Sequence, residues 1–465
     1  KQSRPPQPVR LQSQLKRSTE EGGGHRTASP EETFERYKHH ISPITGAVSG
    51  LTRLYRDERG LAFAYSAGHN FAMGIDSLTF LQESLRGHSG GKGTTEMQAK
   101  TSGLCEAIER YSGIFWGNEY RIKSSYKALQ PDAIHPNACT LFSEQQYRVR
   151  DHWNATQGAT KYHVVPRPLD ENQEIDWTPI WSLTHNRWRY LPTAYCYYGH
   201  PDFQRYYFFS PDSNGSAAGN VLEEAILQGF MELVERDAIA IWWYNRIPRP
   251  AVDLDSFGLP YVQQLREFYA GINREFWVLD CTHDLGIPTL AAVCRRTDRE
   301  VEDIVLGFGA HFDPNIALLR ALTEVNQFMP SVTMHTSDGG TRYLFPDQGA
   351  IDWWKTATIA NQPYLAPAKG MAPVKFSDYP PHDSNDLKDD VERCVEIAAQ
   401  QGLETLVLDQ TQPDIGLAVA KVFVPGLRHF WRRLGPGRLY DVPVKLGWLE
   451  KPMTEDELNP RSVFF

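Results

Sequence analysis

Apolar residues recur at helical spacing in five long stretches of the chain. Residues three and four apart share one face of a helix, so this spacing predicts helices over 94–112, 221–244, 257–270, 314–329 and 387–401. A further helix is expected to begin at Ser29, because Pro30 and two glutamates follow this favourable N-cap residue.

Strand signals lie between these helices. Residues 59–80 alternate in polarity, residues 160–210 are rich in aromatic and β-branched residues, and shorter apolar runs follow. The short runs are Phe276–Leu279, Thr289–Cys294, Val305–Phe308 and Thr405–Asp409. Helices and strands mix without a regular strand–helix–strand rhythm. This order predicts an α+β fold with mixed, mostly antiparallel sheets packed against helices.

The N-terminal residues differ in composition from the rest. Residues 1–25 are polar and end in Gly22-Gly23-Gly24, which is typical of a flexible linker. Residues 26–465 are then expected to form one domain that ends in a C-terminal tail. Because the chain starts with Lys1, it is compatible with a processed product or with the second half of a longer fusion.

One pattern, G-x-x-E-x-x-E-R, occurs twice, at Gly103–Arg110 and at Gly229–Arg236. Further residues match at the same offset, and a glycine-rich loop precedes each copy: Ser89–Gly93 and Asn214–Asn220. A weaker third copy lies at Ala317–Gln327. Self-similarity at a fixed offset indicates a repeated structural unit, here a helix–strand unit.

Each copy places polar residues on one stripe of a helix that is otherwise largely apolar. A helix that is apolar on nearly all sides is buried, so the stripe is expected to lie inside the protein. The stripe residues are Gln98, Ser102, Glu106 and Glu109 in the first copy, Glu224, Gln228, Glu232 and Glu235 in the second, and Arg320, Glu324 and Gln327 in the third.

Such buried carboxylates need compensating positive charge. Arg110, Arg236 and Arg320 supply part of it, and a divalent cation would supply the rest. An oxygen-rich site suits magnesium, which usually completes its shell with phosphates and water. The glycine-rich loops can present backbone N–H groups to those phosphates. The alternative is a solvated, salt-bridged helix face, but the apolar surroundings and the duplication favour a magnesium–nucleotide site.

Composition narrows the class of protein further. The 465 residues carry a net charge of −9, which disfavours a nucleic-acid-binding surface. No apolar run is long enough to span a bilayer and no secretion signal is present, so a cytoplasmic protein is expected. The six cysteines form no C-x-x-C pair and are interpreted as free thiols, not as a zinc site. Most histidines and the run Trp242-Trp243-Tyr244 are interpreted as structural.

Three segments resemble the signature motifs of the YcaO superfamily. They are Ser89–Gly113, Asn214–Ala238 and Asp313–Gln327, within a match that spans roughly residues 26–330. The overall pattern is similar to the azoline-forming cyclodehydratases known as D proteins. The resemblance implies a YcaO-type fold and the ATP-dependent conversion of Cys, Ser or Thr residues of a ribosomal precursor peptide into thiazoline or oxazoline rings, with ADP and phosphate as products.

The resemblance also implies roles for individual residues. It assigns magnesium binding to Glu106, Glu109, Glu232 and Glu235, and action on the nucleotide and phosphates to Arg320, Glu324 and Gln327. It assigns cofactor binding or its support to Arg26, Thr33, Lys92, Gln98, Ser102, Arg110, Asn214, Asn220, Glu224 and Arg236. The expected cofactors are ATP and Mg²⁺.

The C-terminal tail departs from the family pattern. Many azoline-forming members end in P-x-P-x-P, whereas this chain has only Pro460 before its two final phenylalanines. Docking through Phe464 and Phe465 is still expected, and Phe465 is assigned to the active site. The divergent tail leaves open another amide activation, namely thioamide or amidine formation. A non-catalytic nucleotide-binding subunit of a synthetase is the alternative from another class, which the intact set of glutamates disfavours.

The expected partners follow from the same resemblance. They are the precursor peptide, a separate or fused E1-like leader-binding protein, and in some complexes a flavin-dependent dehydrogenase. No nucleic acid or membrane is expected as a partner, and a homodimer is the default oligomeric state. The sequence does not identify the peptide or a preference for Cys over Ser and Thr.

Overall fold

The computed structural model of the protein describes residues 5–17, 24–70, 88–157, 163–344 and 347–463. The strands of these residues form three sheets, whose paired strands are antiparallel. The strands are β1 (Val48–Arg56), β2 (Phe63–His69), β3 (His88–Gly93), β4 (Ile122–Ser124), β5 (Ile175–Ser182), β6 (Arg187–Pro192), β7 (Ser216–Gly219), β8 (Arg274–Asp280), β9 (Thr289–Arg296), β10 (Val305–Ala310), β11 (Leu406–Asp409) and β12 (Ala418–Phe423).

Two of the sheets have three strands, in the orders β1–β2–β3 and β10–β9–β8, and the third joins β4, β5, β11, β12 and β7 with β6 paired to β5. The helices pack around them. They are α1 (Pro30–Tyr37), α2 (Glu96–Ser112), α3 (Asn137–Thr140), α4 (Glu144–Arg148), α5 (Arg150–Gln157), α6 (Thr193–Cys196), α7 (Pro201–Tyr206), α8 (Leu222–Asn245), α9 (Pro260–Gly271), α10 (Pro314–Phe328), α11 (Gln348–Thr356), α12 (Leu387–Gln400) and α13 (Arg438–Lys445).

The predicted α+β class and the five long helices are confirmed, as is the helix start at Ser29, which caps α1 through a capping box. The strand prediction for 160–210 is correct only in part, since a short helix capped by His200 interrupts that region. In the predicted 59–80 region, β2 is present, and residues 71–80 lie outside the described residues.

The sequence repeat corresponds to three strand–helix units. Strand β3 leads into α2, β7 into α8, and β10 into α10. Each helix packs on its own strand and also on the strand of another unit: α2 contacts β7, α8 contacts β10, and α10 contacts β3. The three units therefore close into a ring, and the weak third copy has the same form as the other two.

Glycines allow each helix to lie very close to its strand. A Cβ atom on Gly91 of β3 would collide with the backbone carbonyl of Ala99 on α2. In the second unit, a Cβ atom on Gly229 of α8 would collide with the carbonyl of Gly215 just before β7. Close backbone packing thus explains Gly229, which opens the second copy of the pattern, whereas a Cβ atom on Gly103 of the first copy would make ordinary contacts at 3.5 Å.

Helix α8 runs through the interior. Trp242 and Trp243 are fully buried near its C-terminal end, and Tyr244 is 1% exposed, which confirms that these aromatic residues belong to the core. The other half of the same helix carries the predicted acidic stripe. The apolar residues of the helix pack between two sheets, against β7 and β12 on one side and β9 and β10 on the other.

The N-terminal segment is partly fixed to this body. The backbone N–H of Gln14 donates to Asp386 at 2.8 Å, and Lys16 forms a 2.6 Å ion pair with Asp390, in which both side chains are at most 4% exposed. The flexible linker over residues 1–25 stays a prediction, and in the structure Gln12, Gln14 and Lys16 make contacts with the body of the domain. Buried polar contacts, which composition does not reveal, hold this segment in place.

None of the helices within the described ranges combines the length and the apolar character needed to cross a membrane.

Candidate active site

A cavity of about 530 Å³ lies where the three strand–helix units meet. It is lined by most of the site residues predicted from the sequence. These are Arg26, Thr33, Lys92, Gln98, Ser102, Glu106, Glu109, Arg110, Asn220, Glu232, Glu235, Arg236, Arg320, Glu324 and Gln327. One cavity thus collects residues that are spread over more than half of the sequence.

Helix α2 contributes two acids and one arginine. Arg110 pairs with Glu109 at 2.9 Å and with Glu106 at 3.3 Å. Burial raises the pKa of Glu109 to about 8, with Glu106 and Glu232 adding to the rise against the effect of Arg110. Burial likewise raises the pKa of Glu106. A single arginine therefore leaves the two carboxyl groups short of positive charge.

Helix α8 repeats this arrangement. Arg236 pairs with Glu232 at 3.3 Å, and the same Glu232 oxygen accepts a hydrogen bond from the backbone N–H of Gly215 at 3.2 Å. Burial raises the pKa of Glu235 to about 8, and Glu324 adds to the rise, whereas Lys92 opposes it. Carboxyl groups from two helices therefore face one another with incomplete compensation.

Helix α10 supplies a mixed wall. The Arg320 guanidinium donates to the carbonyl of Ala310 at 3.0 Å and to the side chain of Gln228 at 2.6 Å. Glu324 accepts from the backbone N–H of Phe308 at 2.6 Å and pairs with Lys92 at 3.2 Å. These contacts join the third unit to the other two.

Gln327 lies on the same helix, against the strand of the first unit. A Cβ atom on Gly90 would collide with its side-chain nitrogen. The residue therefore occupies space that only a glycine leaves open, at the edge of the cavity.

The N-terminal end of the domain closes one side of the cavity. Thr33 donates to Asn220 at 2.9 Å, and the backbone N–H of Asn220 donates to Glu224 at 2.8 Å. Glu224 also accepts from the Thr27 hydroxyl at 2.9 Å and pairs with Arg26 at 3.6 Å. Glu224 itself does not line the main cavity but a small pocket beside it. Glu224 therefore holds Arg26 and Asn220, which do line the cavity, in position.

Three other predicted residues, Gln98, Asn214 and Phe465, differ in their position relative to the cavity. Gln98 lines the cavity and accepts two 2.9 Å hydrogen bonds from Thr94, one of them from its backbone N–H. Asn214 is not a lining residue, since its buried side chain bonds Arg236 and His429, and its direct contact with the cofactor stays a prediction. Phe465 lies outside the described residues.

The sequence assigned no role to two residues that contribute to the site, Gln228 and Phe430. Gln228 lies on the predicted stripe of α8, so its spacing could have identified it as the partner of Arg320. Phe430 also lines the cavity, with the Arg236 guanidinium 4.9 Å from its ring centre. Nothing in the sequence signals Phe430, because it follows β12 far from the repeated motifs.

The residues present fit a magnesium–nucleotide pair. Hard carboxylate oxygens from α2 and α8 are the ligands that Mg²⁺ prefers, and the raised pKa values of Glu109 and Glu235 indicate acids that lack enough positive charge by themselves. Lys92, Arg236 and Arg320 stand around the same cavity and are suited to phosphate oxygens.

Comparison with known proteins places this geometry in a family. A family described as YcaO cyclodehydratase, ATP- and Mg²⁺-binding, matches residues 90–428. The chain is 50% identical to a heterocyclase solved in complex with substrate and cofactor, at a TM-score of 0.91 over 99% of this chain and 59% of that one. It is 45% identical to the heterocyclase TruD, at a TM-score of 0.78 over 99% of this chain and 56% of that one.

The chain therefore spans a little over half the length of these two heterocyclases. The YcaO protein of Methanopyrus kandleri, solved with AMPPCP and Mg²⁺, shares the fold at 21% identity, with a TM-score of 0.61 over 87% of this chain and 93% of that one. With a family match over most of its length, the chain belongs to the YcaO cyclodehydratase family.

Proposed function

We propose that this chain is an ATP-dependent cyclodehydratase that converts Cys, Ser or Thr residues of a precursor peptide into thiazoline or oxazoline rings. The observation that carries the proposal is 50% identity, over 99% of the chain, to a heterocyclase whose structure holds substrate and cofactor. The acidic cavity supports it, since that cavity is lined by all four carboxylates that are predicted to bind magnesium.

The proposed reaction balances as a dehydration. The thiol or hydroxyl of the peptide attacks the preceding amide carbonyl carbon and forms a ring with one oxygen left on that carbon. This oxygen takes the γ-phosphoryl group of ATP and then leaves as phosphate, so the double bond of the azoline forms. The net result is the loss of one water from the peptide and the conversion of ATP to ADP and phosphate.

The residues of the chain would act by positioning and by charge. Glu106, Glu109, Glu232 and Glu235 would hold Mg²⁺, which neutralises phosphate charge when bound. Arg320 is held in place by Gln228 and Ala310, so its guanidinium is preorganised toward the cavity. Fixed charges of this kind stabilise a transition state without reorganisation.

Partners are part of the same proposal. A ribosomal precursor peptide is the proposed substrate, delivered by an E1-like leader-binding protein that is separate or fused. The chain spans only 59% of the heterocyclase with substrate bound, so that heterocyclase has further sequence in which such a region could lie. A flavin-dependent dehydrogenase acting on the azoline and a homodimeric state complete the proposal.

The test incubates the protein with ATP, Mg²⁺, a Cys/Ser/Thr-containing precursor peptide and its leader-binding partner. We expect a mass loss of one water per modified residue, with one phosphate released for each. Phosphate release with sulfur gained and oxygen lost would indicate thioamide formation instead, and amine incorporation would indicate amidine formation. Failure to bind nucleotide in the presence of Mg²⁺ would contradict every one of these activities.

Two site variants test the metal assignment within this assay. Glu109→Gln and Glu232→Gln should each lose more than ~100-fold in turnover, because even residues that only support metal ligands contribute about 10–100-fold. The matched control is Glu223→Gln on helix α8, whose carboxylate accepts from the Gln12 backbone at 2.6 Å and does not line the cavity. Near-normal turnover in either site variant would refute its role in metal binding.

A further inference from the structure

His429 is a buried histidine behind the cavity, only 6% exposed and stacked on Trp431 at 5.3 Å between ring centres. Its Nε2 atom lies 2.6 Å from the carbonyl oxygen of Cys139. Because a carbonyl can only accept, Nε2 carries the hydrogen and Nδ1 carries a lone pair. The lone pair of Nδ1 faces the side-chain amide nitrogen of Asn214.

This tautomer fixes the orientation of Asn214. Its amide nitrogen donates to His429, so its carbonyl oxygen points the other way and accepts from Nη1 of Arg236. Asn214 is itself only 4% exposed, and its backbone N–H donates to Asp212 at 3.0 Å. The buried amide therefore has little freedom to turn.

Arg236 is thereby held on three sides. Asn214 contacts Nη1, Glu232 lies 3.3 Å from Nη2, and the ring of Phe430 lies under the guanidinium at 4.9 Å. Nε of Arg236 has no hydrogen-bond partner among the described residues. The arginine is thus oriented by the protein while part of its donor capacity stays unused beside the cavity.

The segment that carries His429 is fixed to the same helix as Arg236. The backbone N–H of Arg428 donates to Asp237 at 2.8 Å, and the carbonyl of Phe430 accepts from the Tyr244 hydroxyl at 2.5 Å. Asp237 and Tyr244 both belong to helix α8. His429 therefore keeps a constant position relative to Arg236.

We propose that His429 and Asn214 are positioning residues that fix the Arg236 guanidinium beside Glu232 for contact with the phosphates of the nucleotide. The inference rests on the proposed function only in taking the cavity as a nucleotide site. Burial lowers the pKa of His429 to about 4, so the imidazole is neutral near pH 7 and Nδ1 can accept from Asn214. A protonated ring would place a second N–H group opposite the amide hydrogens of Asn214, and two donors cannot form a hydrogen bond with one another.

The test is a double-mutant cycle between His429→Phe and Arg236→Ala. The first measurement is the affinity for magnesium–AMPPCP, which requires no peptide. The second is phosphate release from ATP. We expect His429→Phe and Asn214→Leu each to weaken nucleotide affinity or turnover by about 10–100-fold, as supporting contacts typically do. In the Arg236→Ala background, His429→Phe should have little further effect. Multiplicative losses in the cycle would overturn the proposal.

A matched control separates positioning from simple destabilisation. His200 is also buried, at 3% exposure, and bonds Asp176 at 3.2 Å away from the cavity. His200→Phe should lower the thermal midpoint while nucleotide affinity stays normal. His429→Asn retains an acceptor for Asn214 and should recover part of the nucleotide affinity that His429→Phe loses; no recovery in the folded variant would contradict the positioning role of His429.

This design also separates the two proposals. Normal nucleotide affinity and phosphate release with no ring formed would contradict azoline formation alone. A cycle without coupling in a protein that forms azolines would contradict the positioning role alone.

Discussion

Helix α8 carries two acids of opposite character, the half-buried Glu235 at the cavity and the fully buried Asp237. Glu235 lines the cavity, and burial raises its pKa to about 8. Asp237, two residues further on, is fully buried; burial opposes its ionisation, but Arg438 and His283 hold its pKa well below the usual range. The sequence alone left Asp237 ambiguous between support and chemistry.

Partners make the difference. Asp237 accepts from His283 at 2.7 Å, from Arg438 at 2.7 Å and from the backbone N–H of Arg428 at 2.8 Å. Arg438 also bonds Asp284 at 2.6 Å. A buried acid with a complete set of donors stabilises the fold, whereas one with too few donors retains the capacity to bind a cation. Burial by itself does not distinguish a structural acid from a functional one.

The largest effect should come from breaking the satisfied site. Asp237→Asn removes the charge that pairs with Arg438 and alters the acceptor of His283 and of the Arg428 N–H, and we expect the free energy of unfolding to fall by about 3–5 kcal/mol. Urea denaturation measures the change. Asp284→Asn is the control, since it leaves Arg438 paired with Asp237 and should cost less. A loss below about 1 kcal/mol for Asp237→Asn would show that the two sites do not differ as described.

The unsatisfied site should show the reverse pattern. Glu235→Gln should lower turnover by more than ~100-fold, because it removes a proposed metal ligand. Loss of a residue that only supports such a ligand already costs about 10–100-fold. Its stability without metal should change by less than about 0.5 kcal/mol, since a mostly protonated acid is replaced by a neutral amide. Phosphate release and urea denaturation at neutral pH provide the two measurements. A large loss of stability would assign Glu235 a structural role.

The pH dependence of stability should sharpen the comparison. The folded pKa of Glu235, about 8, lies above its ordinary value of 4.5, so the folded state retains a proton that the unfolded state releases. The stability from this group is complete below pH 4.5 and is lost as the pH rises through 8. Each such group contributes a slope of at most about 1.4 kcal/mol per pH unit.

The measurement is urea denaturation of metal-free protein, with a chelator present, between about pH 6 and about pH 9. Glu235→Gln should show a shallower decline than the unmodified protein. Asp237 has the opposite sign, since its depressed pKa contributes stability above its ordinary value of 3.8 that is lost on acidification. An equal slope below about pH 8 in the Glu235→Gln variant would contradict the unsatisfied state of this acid.

Much of the fold and the site could be predicted from the sequence because local periodicity determined both. The long helices follow from apolar spacing, and the acids at Glu106, Glu109, Glu232 and Glu235 follow from the repeated pattern within those helices. Contacts between distant segments could not be predicted in this way. The bond of Asn214 to His429 and the ion pair of Lys16 with Asp390 join residues that no local pattern relates.

The sequence by itself determined the helices, the repeated unit and the stripe of acids, since all three are expressed in the spacing of nearby residues. Only the tertiary structure decided which acids lack partners. That property depends on the donors that other segments bring close, such as Arg438 beside Asp237, and on the closing of three strand–helix units into one ring around the cavity. The sum of those long-range contacts sets each pKa, and thereby separates the acids that stabilise the fold from those available to bind a cation.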